Sequence, residues 1–264
     1  MIALWTALAL AGPCDDTDRA LAVGASTTNP RPGDLGSAHR VCGRSEVGGS
    51  VGALAVIDAD NFYGNLVAGL SAEGSWALDD RTELFGSVEL VRYDTLISAF
   101  SDSTLGPGHT MIGASRMVLA GDIWGLATHG RLVLPTAVAL YRRAWPIALD
   151  AGATFELAAG PLRPHAGLHL PFSFALSAGP AAPWIGLGGM LGTEIRAGQV
   201  LGLVLDSSFT QGYGSGGLDH LSFDPGLRFG FGEHIGAEVG LHMPLAGRDR
   251  APLGIELAMR GRLP

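Results

Sequence analysis

The histidines are the side chains that could most directly do chemistry, because imidazole binds metals and exchanges protons near neutral pH. The chain has eight of them. His165 and His169 lie four residues apart in a segment with alternating apolar residues, and four residues of extended strand span about 13 Å. That separation is too large for one metal ion, so a site would need histidines from neighbouring strands. We expect polar side chains on one strand face here, with no metal and no cofactor.

Two further patterns could carry chemistry. His220 and Ser222 share one face of an extended segment, but nucleophilic catalysis also needs an acid or amide that orients the histidine. The stretch 212–217 is rich in glycine, yet neither a helix start nor a Gly-Lys-Ser/Thr sequence follows it, as a phosphate-binding loop requires. We therefore predict that the protein is not an enzyme.

The composition excludes several classes of protein. Forty glycines are about twice the average usage, and only 16% of the residues are charged. Past the N-terminus, no apolar run approaches the roughly 18 residues that a membrane helix needs. All 17 basic residues are arginine and none form a cluster with interleaved aromatics, so nucleic-acid binding has little support.

A period of two runs through most of the chain. In the segment 162–176, Leu, Phe and Ala dominate the even positions, whereas Arg163, His165, His169 and Ser173 stand at odd positions. Such alternation is typical of a strand with one apolar and one polar face. The same pattern predicts twelve strands, at 47–57, 65–77, 82–93, 110–120, 123–136, 145–159, 162–176, 184–197, 199–210, 218–231, 234–245 and 253–263.

The links between these segments alternate in length. Those after the even-numbered strands are short, at 78–81, 121–122, 160–161, 198 and 232–233. Those after the odd-numbered strands are longer, at 58–64, 94–109, 137–144, 177–183, 211–217 and 246–251. Outer-membrane barrels have short periplasmic turns and longer outer loops, which matches this alternation. Trp76 and Trp124 fall at the proposed periplasmic ends and Trp145 and Trp184 at the outer ends, as interfacial girdles would place them.

Lipid offers no hydrogen bonds to a backbone, so strands can cross a membrane only if their sheet closes. We therefore expect an all-β fold, a closed antiparallel transmembrane barrel of about twelve strands with up-and-down topology, in the outer membrane of a Gram-negative bacterium. Its partners would be outer-membrane lipid and the barrel-assembly machinery. The residues expected to line the lumen, as a solute path or as a paired structural network, are Glu89, Arg116, His129, Arg131, Asp150, Glu156, Arg163, His165, His169, Glu194, Arg196, Asp206, Asp224, Arg228, Glu238, His242, Glu256 and Arg260.

The N-terminal region has a different character. Residues 1–11 contain a short apolar stretch ending in Ala9-Leu10-Ala11, which predicts a secretory signal peptide, although no basic residue precedes it. Residues 12–45 are rich in Pro, Gly, Asp and Ser, and we expect an irregular periplasmic segment before a barrel at 46–264. An exported chain with two cysteines favours a disulfide between Cys14 and Cys42 over two free thiols.

Two short stretches resemble a known family. Arg131–Thr136 (RLVLPT) is similar to a strand end in the outer-membrane barrels linked to the phenol meta-cleavage pathway, which are broadly similar to long-chain fatty-acid transporters. Tyr63-Gly64 and the stretch 80–84 resemble that family's tight turn and acidic-apolar strand start. Ala137 stands where the family usually has glycine, and residues 262–264 lack the terminal aromatic that many barrels present to the assembly machinery. The resemblance implies passage of small hydrophobic compounds and transfers no site residue.

Two functions are compatible with the sequence. The first is a channel or transporter for small or hydrophobic molecules. The second is a structural or interaction barrel with a closed lumen, which would bind partners through outer loops such as 94–109. A soluble exported β-sandwich and an outer-membrane lipase are weaker alternatives.

Overall fold

The computed structural model describes residues 45–58, 63–97, 102–134, 136, 146–175, 183–198, 200–213, 218–231, 235–247 and 253–262. The predicted signal peptide at 1–11, nearly all of the segment 12–45, the Cys14–Cys42 pair and Trp145 lie outside these residues. Among the described residues, no helix has the length and apolar character needed to cross a bilayer.

Every regular element of the described residues is a β-strand. The strands, numbered β1 to β13 along the chain, are Glu46–Asp58, Tyr63–Ala77, Thr82–Ile97, Asp102–Gly106, Thr110–Ala120, Trp124–Leu134, Pro146–Leu157, Leu162–Ala175, Trp184–Ala197, Leu201–Gly212, His220–Phe231, Ile235–Ala246 and Leu253–Arg262. Apart from β4 they are 10 to 16 residues long. Soluble strands are usually about 5–6 residues long, whereas a tilted membrane strand needs about 9–11.

All of these strands belong to one antiparallel sheet, which closes on itself. Consecutive strands pair from β5 to β13, β13 pairs with β1, and the pairings β1–β2, β2–β3 and β3–β5 complete the ring. The short strand β4 does not add a position, because β3 pairs with β5 from Thr82 to Val88 and with β4 from Arg92 to Leu96. The thirteen strands therefore form a closed barrel of twelve positions, as the sequence predicts.

The burial of the strands is the reverse of that in a soluble protein. Large apolar side chains such as Leu168, Leu191 and Leu257 are exposed on the outer surface, and Leu168 keeps 59% of its accessible surface. The buried residues are mostly polar or charged, and Glu194, Asp206 and their neighbours face the interior. No second layer of described residues covers the apolar face. An apolar belt around a closed sheet is the surface that hydrocarbon solvates, so the barrel spans the outer membrane.

The short turns lie where the link lengths predict them. Between β2 and β3, the carboxylate of Asp79 accepts hydrogen bonds from the Arg81 N–H (2.8 Å) and the Thr82 hydroxyl (3.3 Å). Gly160 and Gly198 have φ angles of 64° and 70° in two other short turns, a conformation that glycine adopts without a steric penalty. The outer link after β3 departs from the prediction: β3 continues to Ile97 and forms a hairpin with β4, so 94–109 is not a plain loop.

Candidate functional site: the barrel lumen

The inner face of the barrel carries most of the charge of the strands. Seventeen of the eighteen residues predicted to line the lumen alternate with the exposed apolar residues and face inward, together with Glu73. They are Glu89, His129, Arg131, Asp150, Glu156, Arg163, His165, His169, Glu194, Arg196, Asp206, Asp224, Arg228, Glu238, His242, Glu256 and Arg260. Their part in a solute path remains a prediction.

Arg116 lies on the other face, so its predicted position in the lumen is corrected. In β5 the buried residues are Ser115 and Met117, and Arg116 between them is exposed. It pairs with Thr82, the first residue of β3, and is therefore close to the periplasmic end of the barrel. Its charge also helps to lower the pKa of Asp79 in the turn that precedes β3. A long arginine side chain at this height can reach the headgroup region, which explains why it is tolerated on the outer face.

A first group of inward side chains joins three neighbouring strands. The Asp150 carboxylate on β7 accepts a hydrogen bond from Arg131 Nε on β6 at 2.9 Å, and its other oxygen lies 2.9 Å from His169 Nδ1 on β8. All three side chains are largely buried. Asp150 thus ties β6, β7 and β8 together on the inner side of the wall.

A second group extends from β8 to β12. The Nε2 atom of His165 lies 2.9 Å from Asp206 Oδ1, although β9 stands between their strands. Arg228 on β11 reaches Glu194 on β9 at 3.0 Å and Glu238 on β12 at 2.8 Å. Because every group here has an opposite charge or a polar partner nearby, the cost of burying these charges is partly offset.

Inward glycines lie beneath these side chains. A Cβ atom at Gly188 would overlap the imidazole of His169, and one at Gly202 would lie 2.6 Å from an oxygen of Glu194. Both glycines face inward on strands next to the charged residue. The long side chains therefore lie along the wall over positions that have no side chain, which accounts for part of the high glycine content.

A cluster of polar side chains lies near the outer ends of β10, β11 and β12. It consists of Ser208, Ser222, Asp224 and His242. Ser222 and Ser208 are hydrogen-bonded at 2.7 Å, Ser222 donates to Asp224 at 2.8 Å, and His242 is also bonded to Asp224. His220 stacks on His242 with ring centroids 5.2 Å apart. In a nucleophilic triad the histidine stands between serine and acid, whereas here the acid lies between serine and histidine. Within the described residues, no group of three potential ligands is placed to hold a metal ion.

Arg92 is an inward residue that the alternation did not reveal. Strict alternation puts Glu89 and Arg92 on opposite faces. A bulge changes this, because Leu70 of β2 pairs with Val91 and Ser71 pairs with Glu89, so that Leu90 has no partner on β2. As a result both charged residues are buried inside, and Glu89 accepts the N–H of His109 at 3.1 Å. The signal in the sequence is the pair of adjacent apolar residues, Leu90 and Val91, between two charges.

One stretch of the inner wall has no charge. The inward residues of β5 are Met111, Gly113, Ser115 and Met117, and Phe85 of β3 packs against Gly113.

Trp184 also differs from the prediction. Rather than standing in an outer girdle, its indole lies over Gly186 and Gly212, which are buried on the inner face at the outer end of β9 and β10.

The fold is similar to that of solved outer-membrane barrels. The COG4313 outer membrane channel from Pseudomonas putida F1 is 15% identical, with 88% of this chain and 98% of that chain covered and a TM-score of 0.57. The translocator domain of the autotransporter NalP from Neisseria meningitidis is 11% identical, covering 84% and 88%, with a TM-score of 0.51. The KdgM porin is 8% identical, covering 83% and 99%, with a TM-score of 0.51. No family model and no curated protein matches the sequence.

Proposed function

We propose that this chain is an outer-membrane channel that admits small molecules with an apolar portion. The arrangement of the ion pairs carries the proposal. Among the described residues, each ion pair links side chains on the same strand or on strands one or two positions apart, as in Arg131–Asp150 and Arg228–Glu194. Charged side chains that pair along the wall, above inward glycines, do not have to extend across the lumen to be neutralised. This leaves the axis of the barrel as the path for a solute.

The uncharged wall of β5 supports an apolar component in the solute. Met117, Phe85 and Met111, whose sulfur Arg131 contacts at 3.8 Å, give the inner wall at β5 a more apolar surface than the other strands have. A small molecule with an apolar part would displace less water from charged groups here than at the other inner faces, and desolvating a charged group costs free energy. The resemblance of the stretch Arg131–Thr136 to barrels of the phenol meta-cleavage type points to the same class of compound.

Conductance and solute uptake test this proposal together. The refolded full-length protein should give current steps in planar bilayers, and liposomes that contain it should swell in small aromatic or aliphatic alcohols. A Ser115→Arg variant places a long charged side chain on the uncharged wall and should slow the uptake of these alcohols. Ala114→Ser changes the adjacent, outward residue of the same strand and should leave uptake as in the wild type.

One observation favours a second candidate, a barrel with a closed lumen. Several inward charges are almost inaccessible to water, with 3% exposure for Glu194 and 4% for Arg163. A closed barrel would act through its outer surface, such as the β3–β4 hairpin. It predicts neither current nor swelling from protein that shows the heat-dependent gel shift of a folded barrel. That result would reject the channel and retain this alternative.

A further inference from the structure

The inward charges are not distributed evenly around the barrel. We define the acidic arc as the inward carboxylates of β13, β1, β2 and β3, which are Glu256, Glu46, Glu73, Glu83, Glu89 and Asp94. Among the side chains that the structure describes on these four strands, the inward guanidinium groups are those of Arg260 and Arg92, and the register places Arg262 opposite Glu46. The arc therefore holds an excess of negative charge.

The two arginines with described contacts reach three of the six carboxylates. Arg260 is 2.6 Å from Glu73, and Arg92 lies 3.7 Å from Glu89 and 3.6 Å from Asp94. Glu89 is 6% exposed, and no described hydrogen-bond donor reaches its Oε1 atom. A carboxylate oxygen without a donor adds to the negative potential that attracts cations.

The opposite side of the lumen is less negative. In a ring of twelve positions β8 stands across from β1, and its inward titratable residues are Arg163, His165 and His169, with no carboxylate. The carboxylates on the adjacent strands, such as Asp150 and Glu194, are held in ion pairs. The acidic arc is therefore the more negative side of the lumen.

We infer that the lumen selects by charge, passing small cations and neutral molecules in preference to anions, with cations following the acidic arc. Rows of Asp and Glu side chains favour cations in other channels because low-dielectric walls strengthen their field. The inference rests on the proposed channel function and adds the charge class of the solute.

The reversal potential of the full-length protein in planar bilayers, measured under a KCl gradient, tests this. We expect K⁺ to be at least about threefold more permeant than Cl⁻ at low salt, with the ratio falling as salt screens the wall. The double variant Glu73→Gln/Glu89→Gln, which keeps the size and one acceptor oxygen of each side chain, should lower the ratio towards one. Arg116→Gln removes a charge from the outer face and should leave the ratio unchanged.

The outcomes separate the two claims. Current with equal permeabilities, or with a preference for Cl⁻, would overturn the charge selectivity while leaving a channel. Wild-type selectivity in the double variant would overturn the role of the acidic arc. Absence of current from folded protein would overturn the channel itself, and the selectivity with it.

Discussion

His165 and Asp206 are bonded to each other at 2.9 Å across a strand that neither belongs to. The strand between them is β9, and the residue beneath the bond is Gly192, where a Cβ atom would overlap the Asp206 carboxylate and lie 2.7 Å from His165 Nε2. The bond therefore exists because the intervening position has no side chain. The same relationship recurs around the barrel, and it gives the glycines of the inner face a specific role.

Gly192→Ala should destabilise the barrel. The added methyl group has to displace the His165–Asp206 pair, and overpacking of this kind costs about 1–3 kcal/mol. Gly240→Ala is the matched control, because it also faces inward but its Cβ would meet no atom within 4 Å. Reversible denaturant titration in lipid measures both free energies of unfolding. Equal stabilities for the two variants would contradict the proposed role of Gly192.

A charge in the middle of the apolar belt should be costly. Leu168 lies near the middle of β8 and is exposed on the outer face, so Leu168→Arg should cost about 2–4 kcal/mol. Leu162 faces outward at the periplasmic end of the same strand, and Leu162→Arg should cost about 0–1 kcal/mol. Reversible denaturant titration in lipid compares the free energies of unfolding of the two variants. If both substitutions cost the same, the belt does not lie in hydrocarbon as described.

Arg131 and Asp150 should be energetically coupled. Removing one partner leaves the other charge buried, whereas removing both leaves neither, so the double variant Arg131→Gln/Asp150→Asn should lose less stability than the sum of the single variants. We expect a coupling of about 1–3 kcal/mol. Free energies of unfolding for the four proteins complete the cycle. A coupling near zero would show that the pair contributes no specific interaction.

The turn at Asp79 should give the barrel a small dependence on acid. The N–H of Arg81 lowers the pKa of Asp79 below its ordinary value of 3.8, with Thr82 and Arg116 adding to the effect. Because the folded pKa is lowered, the stabilisation is complete above the ordinary value and is lost as pH falls through the folded pKa. Asp79→Asn should therefore be less stable than the wild type at neutral pH and equal to it in strong acid. A constant difference between the two proteins from neutral to strongly acidic pH would contradict this.

The sequence predicts the barrel well because strand length and alternation are properties of consecutive residues. All twelve barrel positions match predicted strands, and the residues from Asp150 to Arg260 that were expected inside are inside. The two errors have different causes. The bulge at Leu90 brings Arg92 to the face of Glu89, and Arg116 lies outward because interfacial depth, which alternation does not encode, makes a charge tolerable there.

The side-chain pairs could not be predicted from the sequence for a different reason. His165 and Asp206 are 41 residues apart, and their contact depends on the register of β8, β9 and β10. Trp184 occupies a strand end, as an interfacial residue would, but two inward glycines receive its ring. Neither fact follows from composition or spacing, because both require knowledge of which residues stand opposite one another.

A membrane-spanning barrel requires that one face of each strand contact hydrocarbon and that the other face the lumen. Nitroxide labels placed singly at residues 163–174 of β8, in refolded protein with both native cysteines replaced, measure it directly. We predict a period of two, with even positions such as Leu168 and Leu170 accessible to oxygen dissolved in the lipid and odd positions such as His165 and His169 shielded from it. Equal oxygen accessibility at consecutive positions, or shielding of the even ones, would contradict this arrangement of the two strand faces.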